Sequence, residues 1–153
     1  MKEVPLISQF QFETHMNKKL DCILLIDDND ADNFFHERVI KKMGCAEKIV
    51  AKESGEEALE YLKSMTDGKY PKPDLIFLDI NMPRMNGWEF LEEYEKLELS
   101  QKASIVLIML STSLNPDDEK KAKDNPLIND FVNKPLIKDN LREIIEKNFL
   151  DHL

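Results

Sequence analysis

CILLIDDNDADNFF, residues 22–35, is the stretch whose reading decides the fold. Its first five residues are apolar throughout, as in a strand covered on both faces, and they run straight into two adjacent acids, Asp27 and Asp28. Burying unpaired charge is costly, so a pair of carboxylates at the end of a buried strand calls for something that neutralises them. The segment that follows, DADNFFHERVIKKMG (30–44), reads as a helix with Phe34, Phe35, Val39 and Met43 near one face and Gly44 as its stop.

The same strand-then-helix unit recurs down the chain. KIVAK (48–52) is a second strand. In SGEEALEYLKSM (54–65), Ser54 is placed as an N-cap with Glu57 three residues on, and Ala58, Leu59, Leu62 and Met65 form the apolar side of a helix. DGKYPKP (67–73) is loop chemistry, and DLIFLDI (74–80) is a third buried run that ends at Asp79. A loop, NMPRMNG (81–87), leads to the helical WEFLEEYEKLE (88–98) and then to a fourth strand, SIVLIML (104–110). Asn115 and Pro116 mark a helix start as cap and first residue, INDFV (128–132) is a short fifth strand, and Leu141, Ile144, Ile145 and Phe149 mark a C-terminal helix. Five such units with apolar strands predict an α/β architecture, a doubly wound parallel sheet with helices on both faces.

In sheets of this kind the functional crevice lies beyond the carboxyl ends of the strands. Asp27, Asp28, Asp79, Ser111 and Lys134 all fall there, which makes a site of three carboxylates, one hydroxyl and one ammonium. Three clustered carboxylates raise one another's pKa unless cations intervene. The donors are hard oxygens, with no thiolate or imidazole among them, so magnesium or manganese fits better than zinc or copper. Magnesium commonly leaves room for a phosphoryl group, and carboxylates do form aspartyl phosphates. Asp79, alone at the end of the third strand, is the natural acceptor.

Taken singly, each of these features has an ordinary explanation as a solvated turn, a helix cap or a surface loop; together, at the ends of the right strands, they resemble the receiver domain of two-component response regulators. The likeness spans about residues 20–150 and rests on IDDN (26–29), FLDINMPRMNG (77–87), MLSTS (109–113) and FVNKPL (131–136). It implies a flavodoxin-like (βα)5 fold with strand order 2-1-3-4-5. It also implies that Asp79 accepts phosphate from a sensor histidine kinase or phosphotransfer protein. Asp28 and Asp79 would ligate Mg2+, with Asp27 supporting the metal through water and the backbone carbonyl of Asn81 completing the protein ligands. Lys134 would meet the phosphoryl oxygens, Ser111 would be the switching hydroxyl and Phe131 the aromatic that follows it. Three details depart from the commonest pattern: Ser111 stands where Thr is more frequent, Phe131 where Tyr is, and the TDGKYPKP loop is long, as in stand-alone regulators related to the phytochrome-associated ones.

Composition narrows the partners. The chain has 153 residues, suits one domain and carries a net charge of −9, which argues against direct nucleic-acid binding. Residues 1–19 are expected to form an N-terminal extension and 20–153 the receiver domain. No apolar run is long enough to cross a membrane, and no signal peptide is legible. Cys22 and Cys45 read as reduced thiols, so the expected location is the cytoplasm. With few residues left beyond 150, output is expected through contact with a downstream protein on the surface of helix four, strand five and helix five; a homodimer formed on phosphorylation is left open. Such a domain is a phosphoacceptor rather than an enzyme, catalysing only its own phosphorylation and dephosphorylation. A haloacid-dehalogenase-type phosphatase is the main rival, but it would need an Asp at position 81, where this chain has Asn. A degenerate interaction module would lack a site residue, and a dinucleotide-binding domain would need a G-x-G-x-x-G that is absent.

Overall fold

A computed structural model describes residues 18–102 and 104–153. The expected extension therefore lies outside the described residues except for Lys18 and Lys19; the Lys18 N–H donates to the His152 carbonyl (3.1 Å). Five parallel strands, β1 (Leu20–Ile26), β2 (Ala46–Lys52), β3 (Leu75–Leu78), β4 (Val106–Ser111) and β5 (Asp130–Asn133), pair in the order β2-β1-β3-β4-β5. They alternate with α1 (Asp30–Met43), α2 (Gly55–Lys63), α3 (Gly87–Glu95), α4 (Pro116–Asp124) and α5 (Lys138–Asn148). A short helical turn at Leu99–Lys102 follows α3. The architecture is the expected flavodoxin-like one.

Because strand residues point alternately to opposite faces, the apolar strands feed two separate cores. Ile23, Leu25, Phe77, Ile108 and Leu110 meet Ile40 and Met43 of α1 and Leu141, Ile144 and Ile145 of α5 on one face. On the other, Leu24, Ile76, Leu78 and Met109 meet Ala58, Leu59 and Leu62 of α2 and Phe90, Leu91 and Tyr94 of α3. α4 buries only Ala122.

Local chemistry sets the helix ends. Gly44, at φ 63°, takes the left-handed conformation that closes α1 by donating to the Ile40 and Lys41 carbonyls. Ser54 caps α2 by accepting from the Glu57 N–H, as expected, but the Glu57 carboxylate reaches back to the Glu53 N–H (3.2 Å) rather than to Ser54. The reciprocal box forms instead at α3, between Asn86 and Glu89. Asn115 and Pro116 start α4 as read from the sequence. The long loop after α2 contains a two-residue reversal: Asp67 (φ 52°) and Gly68 (φ 76°) both take positive φ, and Thr66 and Lys69 exchange backbone hydrogen bonds.

The predicted faces need two corrections. Phe34 and Phe35 are exposed, at 63% and 46%, and the buried face of α1 is Asn33, His36, Ile40 and Met43. The reason is that the first half of α1 lies over the polar end of β1, where the Asn33 Nδ2 donates to the Asp27 carbonyl (2.8 Å). Met65 is also exposed, because α2 stops at Lys63, with the Ser64 hydroxyl donating to the Tyr61 carbonyl. Cys22 and Cys45 are buried thiols without a disulfide.

This assignment of faces is tested by urea denaturation. Ile40→Ala should cost about 2–5 kcal/mol as a buried deletion, whereas Phe34→Ser should change stability by about 0.5 kcal/mol or less. The reverse ranking would put the wrong face of α1 against the sheet.

Candidate functional site

The register of the strands builds the site. Ile26 of β1 pairs with Leu78 of β3, so the next residues, Asp27 and Asp79, emerge side by side. Their backbones are still held: the Asp79 N–H donates to the Ile26 carbonyl (3.0 Å) and the Asp27 N–H to the Lys52 carbonyl (3.1 Å). On the other side of Asp79, Ser111 ends β4 and pairs with Asn133, and the following Lys134 N–H donates to the Ser111 carbonyl (2.9 Å). The Lys134–Pro135 peptide is cis.

Asp27, Asp79 and Ser111 are buried, while Asp28 is exposed at the mouth. One carboxylate oxygen from each of Asp27, Asp28 and Asp79 lies within 4.8 Å of the other two. Two unit charges at that separation repel by about 3 kcal/mol at an effective dielectric of about 20. The Lys134 ammonium offsets part of this: its Nζ lies 2.5 Å from Asp27 Oδ2, 3.0 Å from Asp32 Oδ2 and 3.4 Å from Asp79 Oδ1. Asp27 is held from its other oxygen too, which accepts from the Asn29 N–H (3.0 Å) in the turn into α1.

One ammonium does not neutralise the corner. Burial, and then the neighbouring charge of Asp27, push the Asp79 carboxyl from its ordinary 3.8 up to about 6, against the pull of Lys134. Lys134 is itself desolvated, which favours its neutral form, but its hydrogen bonds to Asp27 and Asp32 and the charges of Asp27 and Asp79 more than reverse this and hold the ammonium protonated. Burial, with Lys134 nearby, lowers His36 from its ordinary value, so this imidazole adds no positive charge at neutral pH. An excess of hard oxygen donors around a small space is the donor set of a divalent cation such as Mg2+ or Mn2+.

The remaining predicted residues surround this centre. The Ser111 Oγ accepts from the Ser113 N–H (3.0 Å), and the Ser113 hydroxyl donates to Asp118 Oδ2 (2.6 Å) at the start of α4. Phe131, half-buried on β5, packs against the α2/α3 core and pairs with Met109. Asn81 is exposed in the loop two residues past Asp79. Three neighbours escaped the sequence reading. Asp32 ion-pairs with Lys134, and Asn33 ties α1 to Asp27. Gly87 lies under Asp79 itself: its N–H donates to the Ile80 carbonyl (2.7 Å), and a Cβ there would stand 2.6 Å from the Asp79 carbonyl oxygen. The glycine was visible in the loop motif, but nothing in its neighbours marks the approach of β3 backbone.

Residues 23–146 match the model of the response regulator receiver domain. The chain belongs to that family. The likeness extends to a probable methanogenesis regulatory protein, FilR2, of Methanothrix harundinacea, 30% identical over 125 residues that cover 82% of this chain and 79% of that protein. Response regulator Rcp1 of Synechocystis is 32% identical over 99 residues, 63% of this chain and 65% of Rcp1. The chain thus spans less than two thirds of the length of some of the curated relatives it matches, among them a hybrid signal transduction histidine kinase of Dictyostelium discoideum, of which it covers 8%. Among solved structures, a two-component response regulator from Cytophaga hutchinsonii superposes with a TM-score of 0.78 at 33% identity, covering 87% of this chain and 99% of that one. The Mn2+-bound form of Rcp1 superposes with a TM-score of 0.66 at 27% identity, covering 87% and 96%. Receiver domains are signalling domains of two-component systems, and among the described residues no helix of this one is long and apolar enough to cross a membrane.

The raised Asp79 pKa has a definite sign for stability. Without a divalent cation, folded Asp79 keeps its proton up to about pH 6, whereas in the unfolded chain it releases it near 4. Folding is therefore weakened by this group as pH rises from about 4 to 6, and the penalty persists above that window. In chelator, Asp79→Asn should be more stable than the unsubstituted protein at pH 7.5 by on the order of 2 kcal/mol, with the difference vanishing below about pH 4. Equal urea midpoints at pH 7.5 would show that Asp79 carries no such penalty.

Proposed function

We propose that this receiver accepts a phosphoryl group on Asp79, with Mg2+ bound by its acidic cluster, and relays that event through a protein surface. The observation that carries the reading is the placement of Asp79: a buried carboxylate with Asp27 and Asp28 within 4.8 Å and the Lys134 ammonium 3.4 Å away. Asp28 and Asp79 would hold the cation directly, Asp27 would support it through water, and the Asn81 carbonyl would complete the protein ligands. When bound, the cation supplies positive charge that offsets the charge developing on the transferred group. Support comes from Rcp1, a relative whose Mn2+-bound form is known.

In the transfer, a carboxylate oxygen of Asp79 forms a bond to phosphorus as the bond from phosphorus to the donor breaks, and the bonding pair leaves with the donor. The donor is a phosphohistidine of a sensor kinase or of a phosphotransfer protein, in the cytoplasm. Lys134 steadies the phosphoryl oxygens by direct hydrogen bonding. The chain catalyses only this transfer and the later hydrolysis on itself.

Phosphorylation places about −1.5 to −2 charge and strong acceptor oxygens beside β4. Ser111 holds a hydroxyl proton that its contact with the Ser113 N–H does not use, so it can donate to a phosphoryl oxygen if it moves toward Asp79. The space left invites Phe131 to turn inward, and the surface of α4, β5 and α5 changes shape. α4 suits a moving part, since a single buried residue anchors it. A downstream protein reads that surface; a second copy of the receiver is an alternative reader.

Intact mass after incubation with acetyl phosphate and Mg2+ should show one phosphoryl adduct per chain, and Asp79→Asn should abolish it while keeping the fold. An adduct unchanged in that variant would displace the acceptor from Asp79. The relay has its own measurement. With beryllofluoride, amide shifts should spread from Asp79 through Ser111 to Phe131 and α4, whereas in Ser111→Ala they should stay near the acids. A full remote pattern in Ser111→Ala would rule out the hydroxyl as the link.

A further inference from the structure

Asp32 has no place in the reading so far, yet it is built into the site. It stands in the first turn of α1, where its N–H donates to the capping Asn29 Oδ1 (3.1 Å), and its carboxylate reaches across to the end of β5, 3.0 Å from Lys134 Nζ. It does not belong to the group of acids that could hold a cation, which is Asp27, Asp28 and Asp79.

An ammonium has three N–H donors. Lys134 faces three carboxylates, Asp27 at 2.5 Å, Asp32 at 3.0 Å and Asp79 at 3.4 Å, one for each of its donors, and the contact with Asp32 is a well-formed hydrogen bond. A phosphoryl oxygen arriving on Asp79 needs one of them. Asp27 is a poor candidate to yield, because its side chain is 6% exposed and a buried carboxylate left without its partner is costly. Asp79 loses its carboxylate charge on phosphorylation and its 3.4 Å contact weakens, but the group that takes its place brings more charge and more acceptor oxygens than that one contact can serve. Asp32 is different: at 38% exposure its carboxylate can return to water, and an ion pair that open to solvent is weak.

We propose that Asp32 is a positioning residue that occupies the third donor of Lys134 in the unphosphorylated receiver and surrenders it to the phosphoryl group. It acts through Lys134 and restrains phosphorylation, because each transfer has to break the Asp32–Lys134 pair. This rests on Asp79 being the acceptor. In the transfer from acetyl phosphate, the Asp79 oxygen bonds to phosphorus, the P–O bond to acetate breaks and its pair leaves with acetate; Asp32 neither gains nor loses a proton.

Asp32→Asn keeps the shape and removes the charge. It should raise the rate of adduct formation from acetyl phosphate at saturating Mg2+ by about 3-fold and tighten beryllofluoride binding by a similar factor, the size expected of one half-exposed ion pair. The binding measurement, an amide-shift titration, does not depend on turnover. Asp32→Glu, which retains a carboxylate, should stay close to the unsubstituted protein on both. Asp30→Asn removes an acid from the same turn of α1 without touching Lys134 and should also leave both unchanged. Unchanged or weaker values for Asp32→Asn, or an equal gain in Asp30→Asn, would overturn the assignment, the latter by reducing it to the general field of the helix start. The two levels of inference fail differently: no adduct on the unsubstituted protein overturns the phosphoacceptor reading and this one with it, whereas a normal adduct with an inert Asp32→Asn overturns this one alone.

Discussion

Two buried carboxylates share one buried ammonium, and the carboxyl edge of the sheet is arranged around that contact. Lys134 joins β1 and β3 through Asp27 and Asp79, reaches α1 through Asp32, and is fixed to β4 by its own backbone. Four elements therefore meet at a single charge. A pair of this kind does little for net stability, because desolvation consumes most of its Coulombic gain. What it does is specify an arrangement: any shift of register between β1 and β3 would part Asp27 from Asp79 and leave one of them buried alone.

That arrangement was largely legible in the sequence, for a physical reason. A buried parallel strand must be apolar along its whole length, so the first charged residue after it marks its end, and Asp27 and Asp79 are such residues; Lys134 follows the half-buried β5, which itself opens on Asp130, and was legible from the FVNKPL motif instead. Ser111 is buried at the end of β4 and was still recognisable from the apolar run before it. The residues that escaped are those whose roles depend on approach in space. α1 was assigned its face by the hydrophobicity of Phe34 and Phe35, yet the buried set, Asn33, His36, Ile40 and Met43, has helical spacing of its own. Following that spacing back from Ile40 and Met43 would have found the polar half. No local pattern marks Asp32 as the partner of a lysine on another strand, or Gly87 as the residue pressed against the Asp79 backbone.

The two faces of the sheet are unequally tied down. α1 and α5 close one face with large buried side chains, and α2 and α3 hold the other, whereas α4 contributes Ala122. The connection from Ser111 to Ser113 and from Ser113 to Asp118 runs into this loosely held helix along the hydrogen bonds of a single loop. Rigidity and freedom are thus separated within one small domain: the acids sit at the ends of strands that packing locks from both sides, next to a helix that buries Ala122 alone.

The meeting of Lys18 with His152 has a topological consequence. The N–H of one end of the described chain donates to a carbonyl at the other, 3.1 Å away, on the side where the strands begin and opposite the acids. Between α2 and β3, the Asp67–Gly68 reversal makes an exposed loop in which Thr66 and Lys69 exchange backbone hydrogen bonds. A domain whose first and last described residues nearly touch, and which has such a loop, can be rewired: joined between Lys18 and His152 and cut in the loop, it would pass through the same five strands in a rotated order. New ends would then lie beyond α2, with the acidic corner, its lysine and the sheet order unchanged.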